Sequence, residues 1–379
     1  MITTGVLGST WRASITPWGA VRPWDGSAEL GWHLAADDRW YSPEIEPTVR
    51  QQRVDDSAVV ETRLRVPRGD VVHTVYSVAE AGGLTVVEVT NESPLPVVVA
   101  FTRGDVLTAR PPTAPVAGPD LPPGSIALPV GHRASVTVAL AHRPGIGGLP
   151  SGLPQPAEVA NGWTTIVGAA GRFVIPDEAW SSASTTTRCE LLLTGPPAID
   201  DPVAFLLGVG LLVRMGANAE QWVADVAGAV EMAARRAPRM WDLAAAIDAA
   251  ERVFTTAAER RAVDDLRRVR ATLAVADALP VDPPADAVRG AVWLERRFVD
   301  VHGAVLPGGF PAAWERSNFE VFDVPSGAAS QVSYAVRWHG DRPAVLWEQH
   351  GDAVALSAPV VAPGWTTSDV RGEALWPAP

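Results

Sequence analysis

Tryptophans and acidic residues crowd the start of the chain, and together these residue types could bind a sugar. Five of the fifteen tryptophans fall within the first forty residues, and the segment WDGSAELGWHLAADDRWYSPEIE (24–46) interleaves indoles with carboxylates. An indole can cover the C–H face of a pyranose while neighbouring carboxylates accept hydrogen bonds from its hydroxyls. The sequence therefore predicts a carbohydrate-facing surface, with these candidate contacts: Trp18, Trp24, Asp25, Trp32, Asp37, Asp38, Trp40 and Glu44.

The same indoles could instead fill the core and rim of a β-sheet structure, and this alternative stays open for the N-terminal group. A second aromatic group lies in VSYAVRWHGDRPAVLWE (332–348), which contains Arg337, Trp338 and Trp347. There the alternation places Trp338 on a predicted buried face, and Gly340-Asp341 forms a turn between two strands. Packing is therefore the favoured interpretation of the second group.

Familiar catalytic and metal-binding motifs are absent from the sequence. It contains no HExxH, paired CxxC, Walker-type GxxxxGK[ST] or GxSxG motif, and its seven histidines have no metal-ligand spacing. The sequence predicts no metal site and no cofactor. A glycosidase would need two carboxyl groups across the scissile bond, and no such pair can be assigned from spacing. Four acids at predicted helix starts are better explained by capping: Asp177, Glu178, Asp200 and Asp201.

Charge and cysteine content narrow the class of protein. The net charge is −12 and the 31 basic residues are all arginine, without a basic stripe free of nearby acids, which disfavours a nucleic-acid partner. Cys189 is the one cysteine, so no intrachain disulfide can form. The N-terminus lacks the pattern of a signal peptide, and no apolar run has the length of a membrane span. A soluble, cytoplasmic protein is expected.

The order of elements predicts a mixed, multi-domain fold. Short alternating runs indicate an antiparallel β-sandwich in 1–175, with strands at 59–67, 71–80, 84–93, 95–103 and 134–142. A period near 3.6 then predicts about six antiparallel helices in 176–303, at 177–193, 201–216, 219–236, 240–254, 257–279 and 285–300. A small antiparallel β-unit in 304–379 completes the chain, with strands at 319–324, 331–339, 344–349 and 353–359.

This layout resembles a family of glycoside hydrolases that place a β-supersandwich before an (α/α)6 toroid. The segment LTVVEVTNESPLPVVVAF (84–101) resembles the sandwich strands of that family, and VSYAVRWHGDRPAVLWE resembles actinobacterial hypothetical proteins of similar layout. The family's catalytic acids lie on loops of the toroid. Here the helical layer has half the expected number of helices, and no motif transfers those acids to a numbered residue. The resemblance implies a reduced or degenerate relative.

Three hypotheses follow. The first is a carbohydrate-associated protein that binds a saccharide at the N-terminal surface. The second is an active glycoside hydrolase that uses two carboxylates. The third is a structural or assembly protein without a sugar ligand, in which exposed indoles and arginines contact another chain, including a second copy of this one.

Overall fold

A computed structural model of the chain describes residues 1–37, 39–112, 121–238, 240–273 and 278–378. These residues fall into two units, Met1–Thr164 and Thr165–Pro379. The helices that follow Glu178 and the C-terminal strands belong to the same unit. The three-domain division of the sequence analysis stays a prediction.

Antiparallel strands make up most of the first unit. They are β1 (Ile2–Gly5), β2 (Arg12–Ile15), β3 (Val21–Pro23), β4 (Trp32–Ala35), β5 (Trp40–Tyr41), β6 (Arg50–Arg53), β7 (Val60–Val66), β8 (Gly69–Val78), β9 (Leu84–Asn91), β10 (Val97–Phe101), β11 (Leu107–Thr108), β12 (Ile126–Val130) and β13 (Ser135–Ala141). They form three sheets, in the orders β1-β2-β3, β12-β10-β4-β5 and β11-β13-β9-β8-β7-β6.

Alternation along the strands produces two apolar layers. One buried cluster joins Val87 of the six-stranded sheet to Val99 and Leu128 of the four-stranded sheet, so these sheets pack face to face as a sandwich. The other face of the six-stranded sheet carries Tyr76, which belongs to a second cluster with Ala160. Ala160 lies on helix α1 (Pro156–Gly168).

The second unit contains six further helices. They are α2 (Glu178–Thr194), α3 (Pro202–Arg214), α4 (Val223–Arg236), α5 (Trp241–Thr256), α6 (Arg260–Thr272) and α7 (Ala287–Phe298). The side chains of Asp177, Asp201 and Asp286 accept hydrogen bonds from backbone N–H groups of the first turns of α2, α3 and α7. Helix α3 is buried along nearly its whole length, and Cys189 of α2 is completely buried.

Seven short strands complete the second unit. They are β14 (Arg172–Val174), β15 (Phe319–Pro325), β16 (Ser330–His339), β17 (Arg342–Gly351), β18 (Leu356–Ser357), β19 (Thr366–Thr367) and β20 (Arg371–Leu375). Five form the sheet β14-β15-β16-β17-β20, and β18 pairs with β19. Strands β16 and β17 form the predicted hairpin, in which His339 pairs with Arg342 and Gly340 has a φ of 67°. A left-handed φ suits glycine because it has no side chain.

A buried carboxylate links the helices of this unit. Glu295 on α7 is 4% exposed, and its two oxygens accept hydrogen bonds from Arg188 Nη2 at 2.8 Å and Arg214 Nη1 at 2.7 Å. Both arginines also donate to backbone carbonyls, Arg188 to Gly171 and Arg214 to Ala170. Burial lowers the pKa of Arg188, because a charge is costly away from water. One carboxylate thus holds two guanidinium groups in the interior.

The predicted fold class is confirmed: antiparallel sheets come first, helices follow, and an antiparallel sheet ends the chain. Six of the seven α-helices in the described residues lie within 176–303, as predicted, and the seventh, α1, was not predicted. The helix predicted over 257–279 spans only Arg260–Thr272, and its residues 274–277 lie outside the described ranges. Within those ranges, every helix is too short or too polar to span a bilayer.

Candidate functional site

An open hollow of about 340 Å³ lies where several strand ends of the first unit meet. Trp11 immediately precedes β2, and Asp25 follows β3. Arg103 and Asp105 follow β10, while His142 comes directly after β13. The sandwich thus brings an indole, an imidazole and two carboxylates to one place from four segments of the chain.

The pairing of β2 with β3 sets Trp11 opposite Asp25. The ladder pairs Ala13 with Pro23, and beyond its end the Trp24 N–H donates to the Arg12 carbonyl at 2.9 Å. One residue further, Trp11 Nε1 donates to Asp25 Oδ2 at 3.2 Å. The register of a small sheet therefore fixes the indole next to its carboxylate.

His142 supports the indole from one side. The two rings stack with centroids 3.8 Å apart and planes 12° apart. Hydrogen bonds join His142 Nε2 to the Thr85 hydroxyl at 2.9 Å, Thr85 to Ser77 at 2.9 Å, and Ser77 to Thr4 at 3.0 Å. This chain of buried hydroxyls holds the imidazole in place.

Gly83 makes room for the His142 ring. Its φ is 110°, and a Cβ at this position would lie 2.5 Å from His142 Nδ1. Any side chain here would have to displace the imidazole, and the backbone conformation itself favours glycine. The stacked pair therefore depends on a glycine in the loop before β9.

Both carboxylates of the hollow are held in the charged form. Hydrogen bonds from Ser27, first from its backbone N–H, and then from Trp11 lower the pKa of Asp25. Arg103 donates to both oxygens of Asp105, at 2.8 and 2.6 Å, and this fork lowers the pKa of Asp105. These groups are hydrogen-bond acceptors at neutral pH, not proton donors.

The imidazole is held neutral. Burial first, and then the nearby positive charge of Arg12, lower the pKa of His142 to about 4. The remaining charges around the hollow balance, since Arg103 and Arg143 face Asp25 and Asp105. In the described part of the chain, no three His, Cys, Asp or Glu side chains group as a metal site would require. The arrangement suits a polar ligand without net charge.

The structure separates the N-terminal residues that the sequence proposed as ligand contacts. Asp25 lines the hollow. Trp24 does not line it, although its indole is 53% exposed, and its Nε1 donates to the Ser14 hydroxyl at 2.8 Å. Trp32 is only 3% exposed, stacks on His73 and donates to the Trp18 carbonyl at 2.9 Å. Trp32 is therefore part of the core.

Of the other proposed contacts, none that the structure describes lines the hollow. Trp18 and Trp40 are half-buried, and the guanidinium of Arg22 lies 5.6 Å from the centre of the Trp18 ring. Asp37 and Glu44 are exposed. Asp38 falls outside the described residues.

The C-terminal aromatic group is used in packing. Trp347 is 8% exposed and its Nε1 donates to the Asp369 carbonyl at 3.1 Å. Trp338 Nε1 donates to the Ser317 carbonyl at 3.0 Å, and Arg337 pairs with Glu320. Each of these polar groups already has a partner within the protein.

Sequence analysis did not select His142, Arg103 or Asp105. Each lies near the end of a strand, and their meeting depends on the order of strands in two sheets, which local alternation does not encode. The available signal was the predicted strand ending at His142 and the Gly82-Gly83 turn that it faces.

A scan against protein-family models finds no match, and a search of curated proteins returns none.

Proposed function

We propose that the first unit binds a neutral saccharide in the hollow formed around Trp11. The observation that carries the proposal is a hollow that contains an indole bonded to one ionised carboxylate, a second ionised carboxylate, and two arginines that match their charges. Sugar hydroxyls donate well to carboxylates, and sugar C–H faces pack on aromatic rings. The resemblance of the layout to glycoside hydrolases adds support.

The geometry of Trp11 favours edge and single-face contact with a ligand. His142 covers one face of the indole, and Asp25 occupies the indole N–H. The rest of the ring contributes to the wall of the hollow, beside Pro23 and Ile146. The accessible lining is mostly polar, so a ligand would contact part of the indole and would be held mainly by fixed hydrogen-bonding groups.

Binding fits the hollow better than hydrolysis does. A glycosidase needs one carboxylic acid whose pKa is raised, so that it can protonate the leaving group. The hydrogen bonds in the hollow instead lower the pKa of both Asp25 and Asp105. The hydrolase hypothesis therefore finds no acid among these two residues.

Two substitutions test the proposal against a matched control. Trp11→Ala removes the aromatic wall, and Asp25→Asn removes a charged acceptor at constant shape. Each should weaken binding of the best neutral oligosaccharide on a glycan array by on the order of tenfold, equivalent to about 1.4 kcal/mol. Trp24→Ala removes an exposed indole outside the hollow and should change affinity by less than about twofold. Isothermal titration calorimetry gives the constants, and circular dichroism checks each fold.

Other outcomes would overturn the proposal. If no neutral saccharide binds the folded wild-type chain, or if Trp24→Ala weakens binding as much as Trp11→Ala does, the hollow is not the sugar site. A defined oligomer in light scattering together with no sugar binding would favour the assembly hypothesis.

A further inference from the structure

A second cavity, of about 270 Å³, lies within the second unit and is lined by arginine. Its polar lining comprises Arg214 at the end of α3, Arg252 and Thr256 on α5, Gln331 on β16 and His350 on β17. A smaller cavity of about 40 Å³ shares both arginines with it. The two guanidinium-bearing residues therefore line two adjoining spaces.

The buried acids near these arginines already serve other partners. Glu295 is held by two guanidinium groups, as described above. Asp248, which lines the smaller cavity, accepts hydrogen bonds from Arg270 and from Arg296, the latter at 2.5 Å. Each carboxylate thus pairs directly with two other guanidinium groups, and it acts on Arg252 only through space.

Arg252 has no carboxylate as a direct partner among the described residues. Within that part of the chain, its guanidinium forms one hydrogen bond, from Nη2 to the Gly327 carbonyl. A guanidinium has five N–H donors, so most of its donor capacity is unused. Burial, and then repulsion from Arg214, lower the pKa of Arg252 to about 10, so it is still charged at neutral pH.

We propose that this cavity is an oxyanion site in which Arg252 binds a carboxylate or phosphate group, and in which the nearby charge of Arg214 adds to the attraction. A guanidinium fork matches the two oxygens of either group and forms charge-assisted hydrogen bonds with them. The anion also supplies the negative charge that the interior lacks. This site is separate from the proposed saccharide hollow and does not depend on it.

The hairpin side chains complete the donor set. Gln331 and His350 are direct cross-strand partners, so the two side chains reach the cavity together. Thr256 adds a hydroxyl from the last residue of α5. Two partly exposed acids, Asp323 and Glu348, lie 3.2 and 3.9 Å from the ring nitrogens of His350. They pair with the histidine and not with Arg252.

Calorimetric titration with inorganic phosphate and, separately, with acetate tests the site on the full chain. The ionic strength is matched with chloride so that general screening is constant. We expect saturable binding of one anion, at least tenfold weaker in Arg252→Gln and unchanged within about twofold in Arg235→Gln. Arg235 is a fair control because its side chain is 77% exposed and pairs with Glu231 alone. Tighter binding of phosphate would indicate a phosphate-bearing ligand, and tighter binding of acetate would indicate a carboxylate-bearing ligand.

Two further measurements distinguish a loss of anion binding from a loss of folding. Without added anion, Arg252→Gln should unfold in urea at the same or a higher concentration than wild type, since it removes a partly buried charge with which no carboxylate pairs directly. Arg252→Lys keeps the charge but not the fork and should bind several-fold more weakly than wild type. The proposal is overturned if neither anion binds saturably, if Arg252→Gln binds like Arg235→Gln, or if Arg252→Lys binds like wild type.

Discussion

The hollow of the first unit and the arginine-lined cavity of the second hold their charges in different ways. Around Trp11, each carboxylate has a donor close by, and acids and arginines are equal in number. Around Arg252, Glu295 and Asp248 each pair with two other guanidinium groups. Arg252 itself pairs directly with neither carboxylate. A balanced site favours an uncharged polar ligand, whereas an unbalanced one favours a ligand that brings the missing charge. The two cavities should therefore differ most in their response to charge-removing substitutions and to pH.

The largest effect is expected from Glu295→Gln. The substitution leaves Arg188 and Arg214 buried without a negative partner, which costs about 3–5 kcal/mol of unfolding free energy. Urea denaturation measures the loss. Glu231→Gln is the control, because that carboxylate is 70% exposed and its ion pair within α4 should contribute less than about 0.5 kcal/mol. Equal stabilities for the two variants would mean that the buried network does not hold the second unit together.

Acid should act on the first unit mainly through His73, which is buried, and His142, which is partly buried. Burial lowers the pKa of His73 to about 3 and that of His142 to about 4, whereas an unfolded histidine titrates near pH 6.5. The unfolded chain therefore takes up protons first as the pH falls. Stability is intact above pH 6.5 and declines below it, by about 2–4 kcal/mol at pH ~4.5.

Thermal unfolding followed by circular dichroism between pH 7 and about 4.5 measures this decline. His73→Leu should flatten the pH dependence, because it removes the most buried imidazole and leaves the partly buried His142 and His33, whose pKa values burial also lowers. His132→Gln replaces an exposed histidine of the same unit and should leave the dependence unchanged. If the stability of His73→Leu declined with pH as steeply as that of wild type, the acid destabilisation would not come from His73.

The smallest effect is expected from Arg103→Gln in the hollow. The ion pair it breaks is partly exposed, with Asp105 at 65%, so the unfolding free energy should fall by less than about 1 kcal/mol. The pKa of Asp105 should rise toward that of a free aspartate, because the fork from Arg103 is what lowers it. Carboxyl-carbon NMR titration reports that pKa directly. An unchanged titration would show that the fork does not set the charge of the hollow.

Local patterns predicted most of the elements. The strands near 60–66 and 84–91 were predicted because apolar and polar residues alternate over a full strand length. The β16–β17 hairpin was predicted because such alternation is interrupted by a turn at Gly340. Helix α1 was missed because PAEVANGWTTIVG contains two glycines and several β-branched residues and follows a proline-rich stretch. Tertiary packing on the six-stranded sheet outweighs that weak propensity.

The candidate sites were less predictable, for a physical reason. Composition pointed to the N-terminal indoles, yet whether an indole faces solvent depends on sheet pairing: Trp32 falls on the buried side of β4, while Trp11 lies just outside β2. Asp25 was proposed as a sugar contact within the Trp24–Glu46 segment, whereas the indole that it binds in the structure is that of Trp11. The surplus charge of Arg252 is invisible in sequence, because it depends on which arginines Glu295 and Asp248 already engage.

The single thiol of the chain offers a way to follow one unit at a time. Cys189 is sealed inside the second unit, and the first unit has no cysteine. A thiol reagent can modify it only after that unit opens, so the labelling rate measures an opening equilibrium without any engineered probe. Anions that bind beside Arg252 should slow the labelling of Cys189, whereas sugars that bind to the first unit should not change its rate.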